Sequence, residues 1–427
     1  MTTENNGHLQ PSLCKKIARG GHFYPPGGLA ESLTGPYNGH RKGKKAPGPG
    51  KDKLMKHLKK AAAALLAAAL AATLCACGQA PAQETPENTE TVTEGRTITD
   101  ALGREVALPE TVEKIIPLGN TPRMISYLGL AEKVVGYSGM DPEKVTPLVA
   151  YAYVNRELWA EVPIVGTDAA GNTSYYPEQM ILAAPDVILC TATSGEADEI
   201  QRKTGIPVVA VSQGTLFGED FEQSLRIIGE VCGVSERAEE VIAYINDSLA
   251  ELKELASAVP EDEKPTVLPA AATFKGAHGI EGIRMNDPVM LSVDAKNVAD
   301  DGSGVKSSVI IDKEQVIAWD PEYIFLDSGG VALVRQDYAE RPDYYALLKA
   351  YNEGHIYQYP SSTAYYDNME ISLANCYFVG SVLYPEAFAG IDVEAKANEI
   401  FKFFLGAEDY LSVLESIDSG YCEVVLG

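Results

Sequence analysis

The sequence predicts an α/β protein of two similar lobes, each with a mainly parallel sheet flanked by helices, joined by one long connecting helix. Three observations predict it. First, Glu178-Gln179-Met180-Ile181 followed by Pro185-Asp186-Val187-Ile188-Leu189 recurs as Glu314-Gln315-Val316-Ile317 followed by Pro321-Glu322-Tyr323-Ile324-Phe325, at a constant offset of 136 residues. Each copy reads as a short helix with an exposed acidic start, a break before Pro, and a buried strand. Second, residues 235–258 carry an apolar stripe at helical spacing, from Ala238 and Val241 to Leu252 and Leu255. At 1.5 Å per residue this helix is roughly 36 Å long, about the width of a domain, which suits a rigid connector. Third, short apolar runs alternate with helical patterns on either side of it, which implies parallel sheets covered on both faces.

The ordered chain is preceded by three segments of different character. Residues 1–54 are rich in Gly, Pro, Asn and Lys without apolar periodicity, and read as a non-native or disordered extension. At Met55 the pattern changes: Lys56, Lys59 and Lys60 precede an Ala/Leu run over 61–74. That run is shorter than the roughly 20 residues of a spanning helix, so 55–77 reads as a secretory signal. Its end, Leu74-Cys75-Ala76-Cys77, resembles a bacterial lipobox, with Cys77 as the lipidated residue; a diacylglyceryl thioether supplies the multiple acyl chains that stable anchoring needs. Residues 78–96 form an acidic, Pro-containing flexible tether.

Of 35 Lys/Arg and 60 Asp/Glu, residues 1–77 hold 12 and 3, leaving 23 against 57 and a net charge of −34 beyond them. Such a surface argues against nucleic acid and against anionic lipid other than through the anchor. Cys190, Cys232, Cys376 and Cys422 are scattered rather than clustered and read as small core residues.

The first lobe, 97–234, opens with two short strands around Gly103. A buried strand follows at 112–118, then a helix with Thr121 as cap and Pro122 at its first position. A strand is expected over 133–137, an aromatic loop from Tyr151 to a strand at 162–165, and then the first repeat copy. The strand 208–211 and a helix carrying Phe221, Leu225 and Ile228 complete the lobe. The second lobe, 259–427, starts with a strand at 266–271. Gly-rich loops are expected over 274–288 and 297–306, then the second repeat copy and a strand at 355–359. A helix capped by Asp367 or Asn368 runs to Leu383, and a last amphipathic helix covers 395–405.

Thr99-Asp100-Ala101-Leu102-Gly103-Arg104 with Leu108-Pro109 resembles the opening of substrate-binding lipoproteins of ABC importers of the iron-siderophore and cobalamin type. The Glu178–Leu189 segment, residues 204–209 and the connecting helix are similar too, so that the resemblance spans about 97–405. It implies a class III, helical-backbone periplasmic-binding fold, a ligand cleft between the lobes, no enzymatic activity and no resident cofactor. It also implies a monomeric receptor, lipid-anchored outside the cytoplasm, that serves a permease with its ATPase. In that family an acidic residue on each lobe docks onto permease arginines, and Glu178 and Glu314 fall at the matching positions. A first-turn glutamate also interacts favourably with the helix macrodipole, so the two roles coexist.

Cleft candidates lie in loops after strands. Arg123 stands at the start of the first helix, where a guanidinium and backbone N–H groups favour an anion. Lys275, His278 and Arg284 fall in the first loop of the second lobe and are expected to face Arg123. Tyr151, Tyr153, Tyr175, Tyr176, Tyr365 and Tyr366 suit a flat or chelated ligand, because phenols donate to anionic oxygens and rings stack. Beyond the signal only His278 and His355 remain, too few for the His-rich set that holds bare zinc or manganese. The run Lys275-Gly276-Ala277-His278-Gly279-Ile280-Glu281 is similar to a branch containing both iron-complex and molybdate or tungstate binders, as are Leu373-Ala374-Asn375 and Leu383-Tyr384-Pro385-Glu386. The expected cargo is therefore an iron complex of siderophore, haem or corrinoid type, with molybdate or tungstate as the alternative. A ligand sensor and a secreted enzyme on the same frame are the remote alternatives. No nucleophile elbow, phosphate loop or paired metal motif is recognisable.

Overall fold

The computed structural model describes residues 95–139, 141–169 and 172–427. The extension, the signal with Cys77, and all but the last two tether residues lie outside the described residues. Order begins with an antiparallel pair, β1 (Arg96–Thr99) and β2 (Glu105–Leu108). Asp100 pins this hairpin to the first lobe: its carboxylate holds Arg104 at 2.7 Å and accepts the Ala210 N–H at 3.1 Å.

The first lobe continues through β3 (Ile115–Leu118), α1 (Thr121–Tyr127), β4 (Tyr137–Ser138), α2 (Ala150–Val154), α3 (Arg156–Ala160), β5 (Ile164–Ala169), β6 (Asn172–Tyr175), α4 (Pro177–Ala183), β7 (Val187–Cys190), α5 (Ser194–Thr204), β8 (Val208–Ala210) and α6 (Glu219–Cys232). β3, β7 and β8 form a parallel sheet in the order β3-β7-β8. All three are apolar throughout and wholly buried, as strands covered on both faces must be. β4 pairs in parallel with β5, which pairs antiparallel with β6.

Three expectations for this lobe are corrected. Thr121 is the first helical residue rather than the cap; its hydroxyl donates to the Leu118 and Leu189 carbonyls, while Asn120 occupies the cap position. The strand expected at 133–137 is reduced to a single parallel bridge from Val134 to Ile115 and to β4 at Tyr137–Ser138, after a 3-10 turn at Ala131–Lys133. The aromatic loop after Tyr151 folds instead into α2 and α3. Tyr137 stacks on Trp159 there and Tyr151 packs tilted against it, at 5.0 and 6.3 Å between ring centroids, and this burial sustains helices too short to persist alone.

α7 (Ser235–Ser257) leads to the second lobe: β9 (Thr266–Ala270), β10 (Gly282–Met285), α8 (Pro288–Ser292), β11 (Lys296–Asn297), β12 (Ser307–Ile310), α9 (Lys313–Trp319), β13 (Tyr323–Asp327), α10 (Val331–Glu340), β14 (Ile356–Tyr359), α11 (Met369–Leu383), α12 (Val393–Leu405), α13 (Tyr410–Glu415) and β15 (Cys422–Glu423). The sheet order is β12-β10-β9-β13-β14-β15, with β11 beside β9. Its centre, β9, β13 and β14, is parallel, whereas β10 and β15 run antiparallel to their neighbours.

The repeated segments fold alike. α4 and α9 have seven residues each, bury Met180 and Val316 at matching positions, and end on left-handed residues, Ala184 at φ 48° and Asp320 at φ 41°. The acidic residue after each Pro reaches back to the neighbouring strand. Asp186 accepts the Glu113 and Lys114 N–H groups at 2.8 Å, and Glu322 accepts the Thr266 N–H at 2.9 Å.

More than α7 joins the lobes. The helices after β14 turn back onto the first lobe: the Tyr410 hydroxyl donates to the Pro147 carbonyl at 2.7 Å, and Phe404 packs edge-on against Tyr127 at 5.0 Å. They also pack along α7, where Arg237 donates to the Phe403 carbonyl at 2.6 Å and Tyr244 stacks on Phe403 at 4.0 Å. One hydrophobic cluster accordingly contains residues of both lobes, from Ile115 and Met124 to Phe325 and Phe404. Among the described residues no helix is long and apolar enough to cross a membrane.

Candidate functional site

The loops after β3 and after β14 meet where the lobes touch. Gly119, at φ 65°, lets the chain turn sharply after β3; a Cβ there would stand 2.2 Å from Thr191 Oγ1. Asn120 follows, its N–H donating to Thr191 Oγ1 at 3.0 Å and its amide to the Gln213 carbonyl at 2.6 Å, so the ends of β3, β7 and β8 are locked together. A cavity of about 450 Å³ opens beside them, bordered by Leu102, Thr191, Thr193, Ser212 and Gln213.

Arg123 projects from α1 and is wholly buried. Its acceptors are all neutral: Asn120 Oδ1 on Nη1, and the Tyr365 carbonyl and Asn368 Oδ1 on Nη2. The Tyr151 ring covers it at 4.6 Å and the Tyr366 ring lies at 6.0 Å. Its Nε is buried without a hydrogen-bond partner. Glu370, also wholly buried, accepts from the Tyr127 hydroxyl, while its Oε1 has no partner. Burial pushes the Glu370 carboxyl up, against the opposing pull of Tyr127 and Arg123. The same burial, with Glu370 adjacent, holds the Tyr127 phenol well above its usual range.

The turn that Arg123 grips is built from 361–368. Asn368 donates to the Ser362 and Ala364 carbonyls, and Lys306 pairs with Asp367 at 2.6 Å. Within it Tyr365 and Tyr366 stand in the left-handed region, at φ 51° and 72°, a conformation that bulky residues rarely adopt. Arg284 approaches from beneath, donating to Thr363 Oγ1 at 3.2 Å and to Asp327 Oδ2 at 2.5 Å. Burial alone would lower the Arg284 pKa; Asp327 beside it outweighs that and raises it. Ser361 and Thr273 complete the Asp327 carboxylate.

Several expected cleft residues stand elsewhere. Arg284 lies on β10 rather than in a loop, and its charge is already matched by Asp327, so it is not an open cation facing Arg123. Lys275 is exposed at the tip of its loop, at φ 49°. His278 is held at that loop's base, its Nε2 2.9 Å from the Phe274 carbonyl and its ring 4.2 Å from the Phe274 ring. Arg123 meets the 364–368 turn rather than these two. Tyr153 packs against Tyr410 and under Arg156, at 6.3 and 4.1 Å. Tyr175 packs on the first-lobe core, and Tyr176 is exposed at the start of α4. Of the ten candidates the structure brings together Arg123, Tyr151, Tyr365 and Tyr366. Glu178 and Glu314 are exposed in the first turns of α4 and α9. Sequence reasoning missed Asn120, Asn368 and Asp327; an acidic residue closing the apolar strand Tyr323–Asp327 was the one available signal. Among the described residues no three His, Cys, Asp or Glu side chains come together as metal ligands.

Comparison with known proteins agrees with this architecture. The periplasmic binding protein family model matches residues 120–363. An uncharacterised ABC transporter substrate-binding lipoprotein of Bacillus subtilis is 25% identical over 305 residues, covering 69% of this chain and 87% of its own. Two solved structures share the fold. A periplasmic solute-binding protein of Veillonella parvula has a TM-score of 0.58 at 20% identity, over 76% of this chain and 98% of that one. The Haemophilus influenzae molybdate-binding protein MolA, with molybdate bound, has 0.56 at 19%, over 73% and 98%. Because the family model covers more than half of it, this chain belongs to the periplasmic binding protein family and is a solute-binding protein of an ABC importer.

Proposed function

We propose that the protein captures a metal chelate, an iron complex of siderophore, haem or corrinoid type, between its lobes and delivers it to a permease. The observation that carries this reading is the meeting of Arg123, Tyr151 and Tyr366 at the lobe boundary, a guanidinium among aromatic faces. The described residues assemble no set of three metal-ligating side chains, so a metal cargo is read as arriving with its own ligands. A second reading, molybdate or tungstate, is favoured by the buried Arg123 charge, and a fold neighbour is a molybdate-binding protein. Thermal shift and native mass spectrometry with ferric siderophores, haem, cobalamin, molybdate and tungstate test both. Stabilisation by a ferric chelate with molybdate inert supports the first reading, and the reverse result overturns it.

Docking is proposed to use Glu178 and Glu314, which the 136-residue repeat places at equivalent exposed positions on the two lobes. Reversing both charges should abolish uptake and leave ligand affinity unchanged; a loss of affinity would remove them from this role. Cys77 is proposed as the lipid anchor, and the working unit as a monomer.

A further inference from the structure

We propose that the Tyr365 carbonyl is an internal stand-in for a ligand oxygen: an anionic ligand entering between the lobes takes its place on Arg123 and releases the 364–367 turn. This rests on the interlobe reading above and adds the charge of the cargo, which that reading leaves open.

The argument starts from the guanidinium. A wholly buried arginine whose hydrogen-bond acceptors are all neutral holds its charge in a medium that disfavours one. Glu370 is near enough for the two charges to act on each other, but it makes no hydrogen bond to the guanidinium; its carboxyl accepts from Tyr127 and is pushed up by burial. Arg284 at the other end of the same turn is different, since Asp327 matches its charge. One guanidinium at this boundary therefore has a carboxylate bonded to it, and the other is bonded to neutral acceptors only.

The hydrogen bonds of Arg123 say where a counter-ion fits. Nη1 is turned to Asn120, so the face left for two-point recognition is the edge made by Nε and Nη2. On that edge Nε has no partner, and Nη2 carries two neutral acceptors, Tyr365 O and Asn368 Oδ1. An oxyanion or a chelate carboxylate or catecholate presents two oxygens at the spacing of such an edge. To do so it must replace a neutral acceptor on Nη2; Asn368 is fixed by its own bonds to the Ser362 and Ala364 carbonyls, which leaves the Tyr365 carbonyl as the one to yield. An anionic oxygen forms a stronger bond there than the neutral carbonyl it displaces, whereas a neutral ligand gains little from the exchange.

The turn is built to leave. Arg123 is wholly covered, so nothing reaches it unless a protein group moves. Tyr365 and Tyr366 both occupy left-handed backbone, and leaving the turn relieves them. The flanks are held from within the second lobe, by Arg284 on Thr363 and by Asn368 on the Ser362 and Ala364 carbonyls. Movement is thereby centred on the residues between, where the Lys306–Asp367 ion pair and the ring contacts of Tyr365 and Tyr366 must yield or follow.

Amide hydrogen exchange on the whole chain tests this, with sodium molybdate, an anionic ferric tricatecholate and a neutral ferric trihydroxamate as probes. The expected result is that at least one anionic probe binds and that exchange across 361–368 rises about tenfold or more, with β9, β13 and β14 unchanged. Which anionic probe binds separates oxyanion from chelate. Binding of an anionic probe with the turn unchanged or better protected overturns the displacement. Binding of the trihydroxamate alone overturns the charge assignment and leaves the interlobe reading standing; no binding by any probe sinks both. R123K keeps the charge but loses the two-point edge, and should weaken an anionic probe at least tenfold. Should R123K not fold, Y365G serves: glycine tolerates the turn, so the closed form is favoured and the anionic probe should bind more weakly. Equal or tighter binding by Y365G counts against the proposal.

Discussion

Arg284 and Arg123 both reach the 361–368 turn, yet they predict opposite responses to losing a neighbour. Asp327→Asn strips the counter-ion from a buried guanidinium and should cost about 3–5 kcal/mol in urea denaturation. A loss below about 1 kcal/mol would mean that the pair is solvated in solution. Glu370 makes the reverse case. Its carboxyl is raised by burial, so the stability it contributes is present at low pH and is lost as the pH rises through its folded-state value. Glu370→Gln should therefore melt no lower than the parent at neutral pH, and its advantage should vanish near about pH 4, where a free glutamate itself becomes protonated. A variant less stable at neutral pH and equal in acid would contradict this. Arg123 itself was readable as a candidate for the cleft, since it follows a turn after a buried strand. Its partners were not: Asn368 carries the pattern of a helix cap, but its amide is used across the turn instead. Arg284 was misplaced because Gly282–Met285 is a four-residue strand within a Gly-rich stretch, made a strand by its neighbours rather than by its own pattern.

Among elements, the matched helices α4 and α9 were the most legible part of the chain, because Glu, Gln and Pro at fixed spacing encode a helix start and its break locally. Their ends still differ in a way that can be measured. Ala184 takes a left-handed conformation with no compensating bond from its side chain, so Ala184→Gly should stabilise by about 0.4–1 kcal/mol. Asp320 has the same backbone, but its carboxylate accepts the Lys349 N–H at 2.8 Å. Asp320→Gly should gain less or lose, and equal gains in equilibrium unfolding at both sites would show that this bond contributes nothing. The short helices α2 and α3 were unreadable for the converse reason. Their stability comes from Trp159 packed between rings and not from any local capping pattern, none of which their N-cap positions show.

At the scale of the molecule, the shared core around α7, α11 and α12 opposes independent behaviour of the lobes. The chain has two tryptophans, Trp159 in α3 and Trp319 in α9, one on each lobe. Denaturation followed through single-tryptophan variants should give coincident midpoints, and two separated transitions would overturn the idea of one cooperative unit. The two-lobe frame and its connector were legible because helical periodicity persists over α7. The return of α12 and α13 to the first lobe was not, since amphipathic helices do not announce which surface they cover. That return has a consequence for biogenesis. The first lobe lacks Phe404 and Tyr410 until residues beyond 400 are available, and β14 lacks its outer neighbour until Cys422–Glu423 arrive. The first lobe cannot finish folding from its own stretch of chain, and the second cannot until its last residues arrive. A polypeptide wired this way stays incomplete while it is being made, and completes its structure only when its last residues are available.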